Sequence, residues 1–392
     1  MKLLVVHPGA SWSTADVEDG LRYGLEQHGV EVIRYRLDVR IERAASWLKA
    51  AWRRAVKHDP ALLAPTVGDV CYLASTDVLA VALRHQVDVV IVLSAMFFHP
   101  DVIILMKRAG LTVAALFTES PYDGAQEATL APLVDHCWTN DRVSVGPLAA
   151  AGPSCRYLPH GWHPLRHRPG PQPGDDLQPA HDVVFIGSAF PERVAWLEAV
   201  DWTGIDLGLY GHWDGLARRS PLRRFVKAGT VANATAAALY RRAAIGLNLY
   251  RQAPGAESLN PRAYELAACG SFHLSDARAE VCEVFGDLVP ILDDPAEAAR
   301  ALRYWLAHPI ERAAVAADLP ACVASASWTS RAASVLEDCR ALTNRSLSHA
   351  EVRRERRSRL HVDDGQRSRH GDLPVEVVAE YGDGENRDHQ FL

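Results

Sequence analysis

The chain has 392 residues, of which 48% are hydrophobic and 23% charged, and its formal net charge is −6. This length exceeds what one hydrophobic core usually supports, so we expect two domains and a further tail. The mildly acidic balance argues against a general nucleic-acid binder, although a local basic patch remains compatible with it.

In the first half of the chain, apolar runs typical of buried strands alternate with helical patterns. Strands are predicted at residues 2–6, 31–36, 87–93, 112–117, 137–139 and 156–158, and helices at 16–28 and 101–110. This alternation predicts a parallel sheet with a right-handed crossover at each step.

The second half repeats this architecture after a segment rich in Pro and Gly, residues 165–182, which is typical of a domain boundary. Strands are predicted at 183–186, 206–210, 245–250, 272–275 and 289–292, and helices at 191–200, 232–242 and 295–307. We therefore predict an α/β protein with two doubly wound domains, 1–162 and 163–343, that face a cleft. The stretch after Ser327 is expected to return to the first domain.

The last segment, residues 344–392, differs in character, with few apolar residues near its end and five arginines between 353 and 359. It is predicted to be a disordered or loosely attached tail. These five arginines are interpreted as part of a solvated helical face, and contact with an anionic acceptor or nucleic acid is the alternative.

The seven cysteines are widely spaced, and no two of them form a C-x-x-C pair. This spacing is typical of reduced, mostly buried thiols and predicts no metal site. The amino-terminal apolar run is too short for a signal peptide, and residues 87–98 are too few to cross a membrane, which takes about 20 residues. We therefore expect a cytoplasmic protein without a membrane span.

Ligands of open α/β sheets bind outside the carboxyl ends of the strands, where helix amino termini attract phosphate groups. After the strand at 183–186, Gly187 would let a ligand approach the backbone and Ser188 could bond a phosphate. After the strand at 206–210, Gly211 makes a turn beside Trp213. A plain strand-to-helix turn and a core tryptophan are the alternatives for these two positions.

The most informative stretch is Glu257 to Gly270, "ESLNPRAYELAACG", which follows the strand at 245–250. Asn260 or Pro261 begins a helix, and Arg262 lies in its first turn, where a cation is unfavourable unless an anion is near. Glu265 lies one turn further on, where a carboxylate could hold two ribose hydroxyls. The alternative is a surface ion pair between Arg262 and Glu265.

Glu257 and Glu265 enclose seven residues, and this E-x7-E spacing resembles that of GT-B glycosyltransferases of the family-4 type. Ser258 stands where those enzymes usually have Gly, and Arg262 where they usually have Pro. The run from Asn260 to Gly270 instead resembles the CgeB-like (spore maturation protein-like) branch, with its pattern N-x-R-x-[FY]-E-x-x-A-x-G. Supporting matches are Phe185-Ile-Gly-Ser188, Leu209-Tyr-Gly211, Ile245-Gly-Leu-Asn248 and Phe272-His-Leu-Ser-Asp276.

The resemblance implies a GT-B fold, in which the second domain holds a nucleotide-sugar donor. It assigns the ribose to Glu265, the diphosphate to Arg262 and the turn Gly187-Ser188, and the donor sugar or its phosphate to Glu257; Gly211 and Asn260 complete the expected donor-binding set. Such enzymes generally use a helix terminus and basic side chains in place of a metal ion, and the chain contains no Asp-x-Asp triplet. No cofactor is expected beyond the nucleotide sugar as co-substrate.

The first domain is expected to bind the acceptor. Its strand ends offer Ser11, Asp16, His99, Glu119 and Asp123. A general base must lie within hydrogen-bond reach of the acceptor hydroxyl, and we select Glu119 first and His99 next. A helix cap or an ordinary loop side chain is the alternative for both residues.

The sequence therefore predicts a glycosyltransferase that acts on an unknown acceptor, which could be a glycan, a protein, a small molecule or a modified nucleic acid. Two alternatives stay open. One is a GT-B sugar-nucleotide epimerase, which would use the same donor site without an acceptor. The other is a non-catalytic sugar-nucleotide-binding or coat-associated protein.

Overall fold

The computed structural model describes residues 1–9, 14–152, 154–292 and 294–363, with side chains described as far as Arg345. Two parallel sheets are present, each with helices on both faces, as predicted. In the described residues the first sheet has six strands in the order β2-β1-β3-β4-β5-β6, and the second has five in the order β11-β10-β7-β8-β9.

The strands of the first sheet are β1 (Lys2–His7), β2 (Glu31–Arg36), β3 (Val89–Leu93), β4 (Val113–Phe117), β5 (His136–Thr139) and β6 (Ser154–Tyr157). Its helices are α1 (Ala15–Gln27), α2 (Leu37–Ala55), α3 (Val67–His85), α4 (Pro100–Arg108), α5 (Ala125–Leu130) and α6 (Val145–Ala151). The sequence analysis missed α2 and α3. A capping box at the start of α3, in which Thr66 and Asp69 bond reciprocally, was a usable signal for that helix.

The strands of the second sheet are β7 (Val183–Ile186), β8 (Leu207–Tyr210), β9 (Val226–Ala228), β10 (Ile245–Asn248) and β11 (His273–Ser275). Its helices are α7 (Pro191–Ala199), α8 (Asn233–Arg242), α9 (Pro261–Ala268), α10 (Ala279–Phe285), α11 (Pro295–Ala307) and α12 (Pro309–Cys322). The strand predicted at 289–292 was wrong. Ile291 forms an isolated bridge with Ser275, and the neighbouring Pro290 has no N–H group with which to extend a ladder.

The last helix, α13 (Trp328–Asp363), returns to the first sheet, which confirms the expectation for the stretch after Ser327. Trp328 is 5% exposed and packs in one cluster with Leu3, Leu21 and Leu25. A Cβ on Gly20 of α1 would lie 2.1 Å from the Trp328 ring, so a glycine is required at this contact.

Two connections between the sheets run side by side. The backbone N–H of Trp162 donates to Ala326 at 3.1 Å, and that of Trp328 donates to the Trp162 carbonyl at 2.9 Å. The boundary segment predicted at 165–182 follows directly on this pair. The exact division at residues 162 and 163 stays a prediction.

The helix α13 continues into the segment that the sequence predicted as a disordered tail, where Glu, Arg, Ala and Leu favour helix. The rest of that segment, 364–392, lies outside the described residues. All seven cysteines are free thiols. Among the described helices, none combines the length and the apolar character that a membrane crossing requires.

Candidate active site

The carboxyl ends of β7 and β10 form the switch point of the second sheet. The two strands are direct neighbours, and the chain continues to β8 on one side and to β11 on the other. Ligands of such sheets bind in the crevice at this point. The loop after β7 begins at Gly187, and the loop after β10 ends at Asn260, where α9 starts. These two loops form the centre of the candidate site.

The guanidinium group of Arg262 lies in this crevice. Its Nη1 donates to Asn248 Oδ1 at 3.0 Å and to the Leu249 carbonyl at 3.4 Å. Its Cζ lies 4.6 Å from the centroid of the Phe185 ring. A Cβ on Gly187 would lie 2.6 Å from Arg262 Nη2, so glycine allows the guanidinium to approach the β7 loop. The fold therefore brings Arg262 and Gly187 together.

Asn260 supports Arg262 indirectly. Its Oδ1 accepts from the backbone N–H of Ala263 at 3.0 Å and caps α9, while its Nδ2 donates to Asn248 Oδ1 at 2.9 Å. Asn248 is fully buried, and its Oδ1 is therefore shared by Asn260 and Arg262. Both polar ends of the Asn260 amide bond to protein groups, and the residue positions the partner of Arg262.

Two further arginines lie beside this crevice. Arg193, in the first turn of α7, is 7% exposed, and its Nη1 donates to the Ser188 carbonyl at 3.2 Å. Its Cζ lies 4.8 Å from the centroid of the Phe190 ring, and that of Arg251 lies 4.9 Å from the same ring. Cation–π contacts of this kind hold guanidinium groups where water is scarce. We call Arg193, Arg251 and Arg262 the arginine cluster.

The arginine cluster carries an excess of positive charge. The pKa of Arg193 is lowered to about 9, first by burial and then by the charge of Arg262, while Asp276 and Glu192 oppose this shift. Burial in turn raises the pKa of Asp276 to about 6, so this carboxylate is costly to keep ionised. An anion with several oxygens, such as a diphosphate, would compensate the cluster.

Arg278 holds the loop that carries Arg251. It is 7% exposed, and it donates to the carbonyl of Ala256 at 2.5 Å and to that of Arg251 at 2.6 Å. Its Cζ lies 4.9 Å from the centroid of the Tyr250 ring. The loop is therefore fixed at both ends before any ligand arrives.

Gly211 allows the backbone after β8 to pack closely against the backbone at Gly187. Its φ is +112°, and a Cβ on it would lie 2.3 Å from the Gly187 carbonyl oxygen. The Gly187 N–H donates to the Tyr210 carbonyl at 2.9 Å. Gly211 thus supports the turn that carries Gly187 and Ser188.

Glu265 occupies a second part of the site. It is 8% exposed, its Oε1 accepts from Asn233 Nδ2 at 3.0 Å, and His167 Nε2 lies 3.8 Å from the same oxygen. Burial raises the pKa of Glu265, and the bond from Asn233 opposes that shift. Because Arg262 and Glu265 bond to different elements, the ion pair that the sequence left open between them is not formed in the described structure.

A residue of the first sheet's layer faces Glu265. Asp16 lies in the first turn of α1. Burial, and next the negative charge of Glu265, raises the pKa of Asp16, while the positive charge of Arg166 opposes this shift. Arg166 Nη1 lies 4.0 Å from Asp16 Oδ1 and 3.5 Å from Asn233 Oδ1. Arg166 and Asn233 thus connect the two carboxylates, and such a set could bind neighbouring hydroxyl groups.

Glu257 forms an ion pair with a residue from the first half of the chain. Its Oε2 accepts from Arg142 Nε at 2.7 Å, and the two terminal nitrogens of Arg142 bond to Glu283 at 2.6 and 2.9 Å. Ser258 Oγ accepts from the Arg142 N–H at 2.9 Å. Residues 257 and 258 therefore link the β10 loop to the segment that follows β5.

Glu119 follows β4 and bonds to the loop after β3. Its Oε1 accepts from Ser94 Oγ at 2.5 Å and from Thr118 Oγ1 at 2.9 Å, and its Oε2 accepts from the Ala95 N–H at 3.3 Å. Ser94 has a φ of 69°, a left-handed conformation that is uncommon for serine and often marks a functional loop. The carboxylate is therefore held at the carboxyl edge of the first sheet.

The loop of Glu119 is supported by a buried glutamate, Glu127. This side chain is fully buried and accepts from the N–H groups of Glu119 at 2.9 Å and Ser120 at 3.1 Å. Burial raises its pKa to about 8. The side chain therefore holds its proton at a pH where most glutamates are ionised.

His99 acts as a helix cap, in agreement with the alternative left open for it. Its Nδ1 accepts from the Asp101 N–H at 3.3 Å and so caps α4, and its ring meets Tyr72 edge-on at 5.1 Å. Asp123 lies in the turn after Glu119, whose carbonyl accepts from the Asp123 N–H at 3.0 Å. Ser11 lies outside the described residues.

Sequence reasoning missed Arg142, Arg193, Asn233 and Arg251. None of them belongs to a recognisable sequence motif. Each is brought to the site by the tertiary fold, and its spacing to other polar residues along the chain gives no indication of this. Arg193 offered one signal, since it lies in the first turn of a helix, where a cation is unfavourable without an anion. Among the described residues, no group of three or more His, Cys, Asp or Glu side chains is arranged to hold a metal ion.

Residues 193–337 match the sequence model of a family described as glycosyl transferase-like. Comparison with curated protein sequences found no significant match. The matched segment begins at Arg193 and includes the whole stretch from Glu257 to Gly270.

Solved structures of several glycosyltransferases are similar in fold. Sucrose-phosphate synthase from Thermosynechococcus elongatus has a TM-score of 0.60 and 14% identity, over 87% of this chain and 98% of that one. Anabaena Alr3699/HepE, in complex with UDP-glucose, has a TM-score of 0.59 and 13% identity, over 86% and 100%. A DNA-modifying β-glucosyltransferase, studied with and without uridine diphosphoglucose, has a TM-score of 0.53 and 12% identity, over 88% and 100%. The chain therefore has the predicted GT-B fold and carries a glycosyl transferase-like segment at 193–337.

Proposed function

We propose that the protein is a glycosyltransferase that moves a sugar from a nucleotide-diphosphate donor to an acceptor hydroxyl. The observation that carries this proposal is the arginine cluster at the switch point of the second sheet. Three guanidinium groups surround a glycine turn there, and the pKa of Arg193 is lowered by burial and by its neighbour Arg262. A diphosphate supplies the negative charge and the acceptor oxygens that this arrangement needs.

In this mechanism Arg193, Arg251 and Arg262 bind the diphosphate, together with the turn Gly187-Ser188. As the bond between the sugar and the distal phosphate breaks, negative charge grows on the leaving diphosphate. Fixed guanidinium groups stabilise that charge more in the transition state than in the ground state. We propose that they do so in place of a metal ion, so a chelator should leave turnover unchanged.

Glu265 is proposed to bind the ribose, because a buried carboxylate beside Asn233 and opposite Asp16 can accept from two neighbouring hydroxyls. Glu257 is proposed to contact the donor sugar. Its partner Arg142 occupies Oε2, so Oε1 is the oxygen through which it would bind the sugar while the ion pair stays intact.

The acceptor is proposed to bind to the first domain, residues 1–162, and the donor to the second, residues 163–343. Glu119 is the first choice for the general base, because its carboxylate is held at the carboxyl edge of the first sheet by fixed donors. His99 is the second choice. Its Nδ1 serves the cap of α4, so Nε2 is the nitrogen that would take the acceptor proton.

Uridine diphosphate sugars are the first donors to test, since two of the structural neighbours are described with UDP-glucose or uridine diphosphoglucose. The pattern from Asn260 to Gly270 supports a CgeB-like subgroup. A cytoplasmic location is also part of the proposal, and the seven free thiols support it.

Thermal-shift measurements with UDP, GDP, TDP and their sugars test this function. A ligand at 100 times its dissociation constant stabilises a protein by about 2.7 kcal/mol, which is easily measured. We expect one nucleoside diphosphate series to stabilise the protein, and its sugar conjugate to be consumed slowly in water. Interconversion of the sugar without release of nucleotide would favour the epimerase, and the absence of any stabilisation would contradict the proposal.

A further inference from the structure

The helices α2 and α3 form a hairpin that the proposed reaction does not use. Helix α2 begins directly at the carboxyl end of β2 and packs along α3. Large exposed apolar side chains are concentrated between residues 47 and 72 of this hairpin. They are Trp47 (64% exposed), Leu62 (42%), Leu63 (90%), Val67 (53%) and Tyr72 (36%).

One face of α2 is fully exposed and basic. Arg43, Trp47, Ala50, Arg54 and Lys57 follow one another at spacings of four and three residues, which places them on the same side of the helix. All five are exposed. The opposite side, which includes Leu48 and Trp52, is partly buried. The helix is therefore amphipathic, and its outward side carries a tryptophan between arginines.

The charge of this region is opposite to that of the whole protein. Residues 40–57 contain six basic side chains and one acidic side chain, Glu42, in a protein whose net charge is −6. Arg40 is partly neutralised, since its Nη2 lies 3.8 Å from Asp77. The other five basic residues have no salt bridge among the described side chains. This surface attracts anions and disfavours a second copy of itself.

The turn after α2 carries Leu63, whose side chain is almost fully exposed. Trp52 Nε1 donates to the Leu62 carbonyl at 3.2 Å, and the Ala61 N–H donates to Asp59 Oδ1 at 3.0 Å. The turn therefore has a fixed shape next to the basic face, and its most exposed side chain is a leucine. A nucleic acid would use the basic residues but would gain nothing from an exposed leucine.

We propose that this surface, residues 43–67, binds the interface of an anionic lipid membrane. Basic residues near such a surface are attracted by its anionic headgroups, and the attraction weakens with added salt. Tryptophan favours the level of the lipid headgroups, and an exposed leucine beside it can enter the acyl boundary. The protein would thus lie on a membrane through one hairpin without crossing it.

Vesicle flotation with the full-length protein tests the proposal. The vesicles contain either phosphatidylcholine mixed with phosphatidylglycerol, or phosphatidylcholine alone. We expect binding to the mixed vesicles that weakens with added salt, and little binding to the neutral ones. The double variant Arg43→Glu/Arg54→Glu should lower the partition coefficient on mixed vesicles by more than about tenfold, and Leu63→Asp should also lower it on mixed vesicles.

Matched controls lie in the second half of the chain. Arg218→Glu/Arg219→Glu reverses two exposed charges there, and Leu177→Asp changes a leucine that is 80% exposed. Both should float like the wild type, and circular dichroism should show that every variant is folded. The proposal is overturned if the wild-type protein does not bind to mixed vesicles, or if the hairpin variants float with the vesicles as well as the controls do. Loss of binding to duplex DNA in the same variants, with vesicle binding unchanged, would assign the surface to nucleic acid instead.

Discussion

The two sheets present different chemistry at their carboxyl edges. At the second sheet, Arg193, Arg251 and Arg262 gather around the rings of Phe185 and Phe190. Burial, and next the charge of Arg262, lowers the pKa of Arg193 to about 9. At the first sheet, the carboxyl groups of Glu119 and Glu127 occupy the corresponding edge. Donors from the loops after β3 and β4, however, form hydrogen bonds to both carboxyl groups.

This difference separates groups that need a ligand from groups that maintain a shape. Buried like charges without enough counter-charge are costly, and a bound anion removes the cost. Carboxyl groups that accept several hydrogen bonds from the protein need no ligand to satisfy them. We therefore expect changes in the arginine cluster to act mainly on ligand binding and turnover, and changes around Glu127 to act mainly on stability.

The largest effect is expected for Arg262→Ala. Removal of a fixed donor that stabilises developing negative charge typically lowers kcat by about 100- to 1,000-fold. Steady-state turnover of a nucleotide sugar measures this loss. Arg303→Ala is a matched control, since Arg303 pairs with Asp201 at the surface of the same half of the chain. A wild-type rate in Arg262→Ala would remove the proposed role of the cluster.

Glu265→Ala is expected to weaken nucleotide binding by about 1.5–3 kcal/mol, the usual contribution of hydrogen bonds to a charged group. Because its proposed partner is the ribose, nucleoside and nucleoside diphosphate should lose the same amount. Calorimetric titration with both ligands measures the two losses. A loss restricted to the diphosphate would show that Glu265 acts on charge and does not hold the ribose.

Glu257→Ala is expected to lower turnover by about tenfold while nucleotide affinity stays within about twofold, because its proposed place is beside the transferred sugar. Glu283→Ala is the matched control, since it removes the other carboxylate bound by Arg142. Equal loss in both variants would mean that Glu257 acts only through the ion pair with Arg142.

Glu127 should make stability depend on pH. Its folded-state pKa is about 8 and its ordinary value is 4.5, so the folded protein keeps a proton that the unfolded chain has lost. Stability should therefore fall as pH rises through this window, by at most about 1.4 kcal/mol per pH unit, and level off above it.

Glu127→Gln tests this dependence, because the amide reproduces the neutral acid. Urea denaturation at several pH values between these limits should show a flatter profile for this variant than for the wild type. Glu42→Gln, at an exposed position on α2, should keep the wild-type slope. Identical slopes in Glu127→Gln and the wild type would show that Glu127 is ionised throughout.

Much of the fold was predictable from the sequence, because buried parallel strands are continuous apolar runs. The runs around Leu4, Ile91 and Leu247 gave strands of both sheets close to their observed bounds. The helices α2 and α3 were missed. In α2 the apolar residues alternate with many charged ones, and Leu37 is the one side chain of this helix that is buried.

The candidate site was predictable only where residues form a motif. Arg262 and Glu265 could be found because both lie in one short stretch after a strand. Arg193 and Arg251 are brought to the same crevice by the order of β7 and β10, which the sequence does not reveal. The partner of Glu257 was equally hidden, because Arg142 lies far from it along the chain.

Calorimetric titration of the wild type and Arg262→Ala with UDP and with uridine, at one ionic strength, tests the central claim most directly. If the arginine cluster binds the diphosphate, the variant should lose about a hundredfold in affinity for UDP and keep its affinity for uridine. A loss of this size matches the contribution of a hydrogen-bonded charge pair. Equal affinities of the two proteins for UDP would contradict the claim, as would equal losses for UDP and uridine.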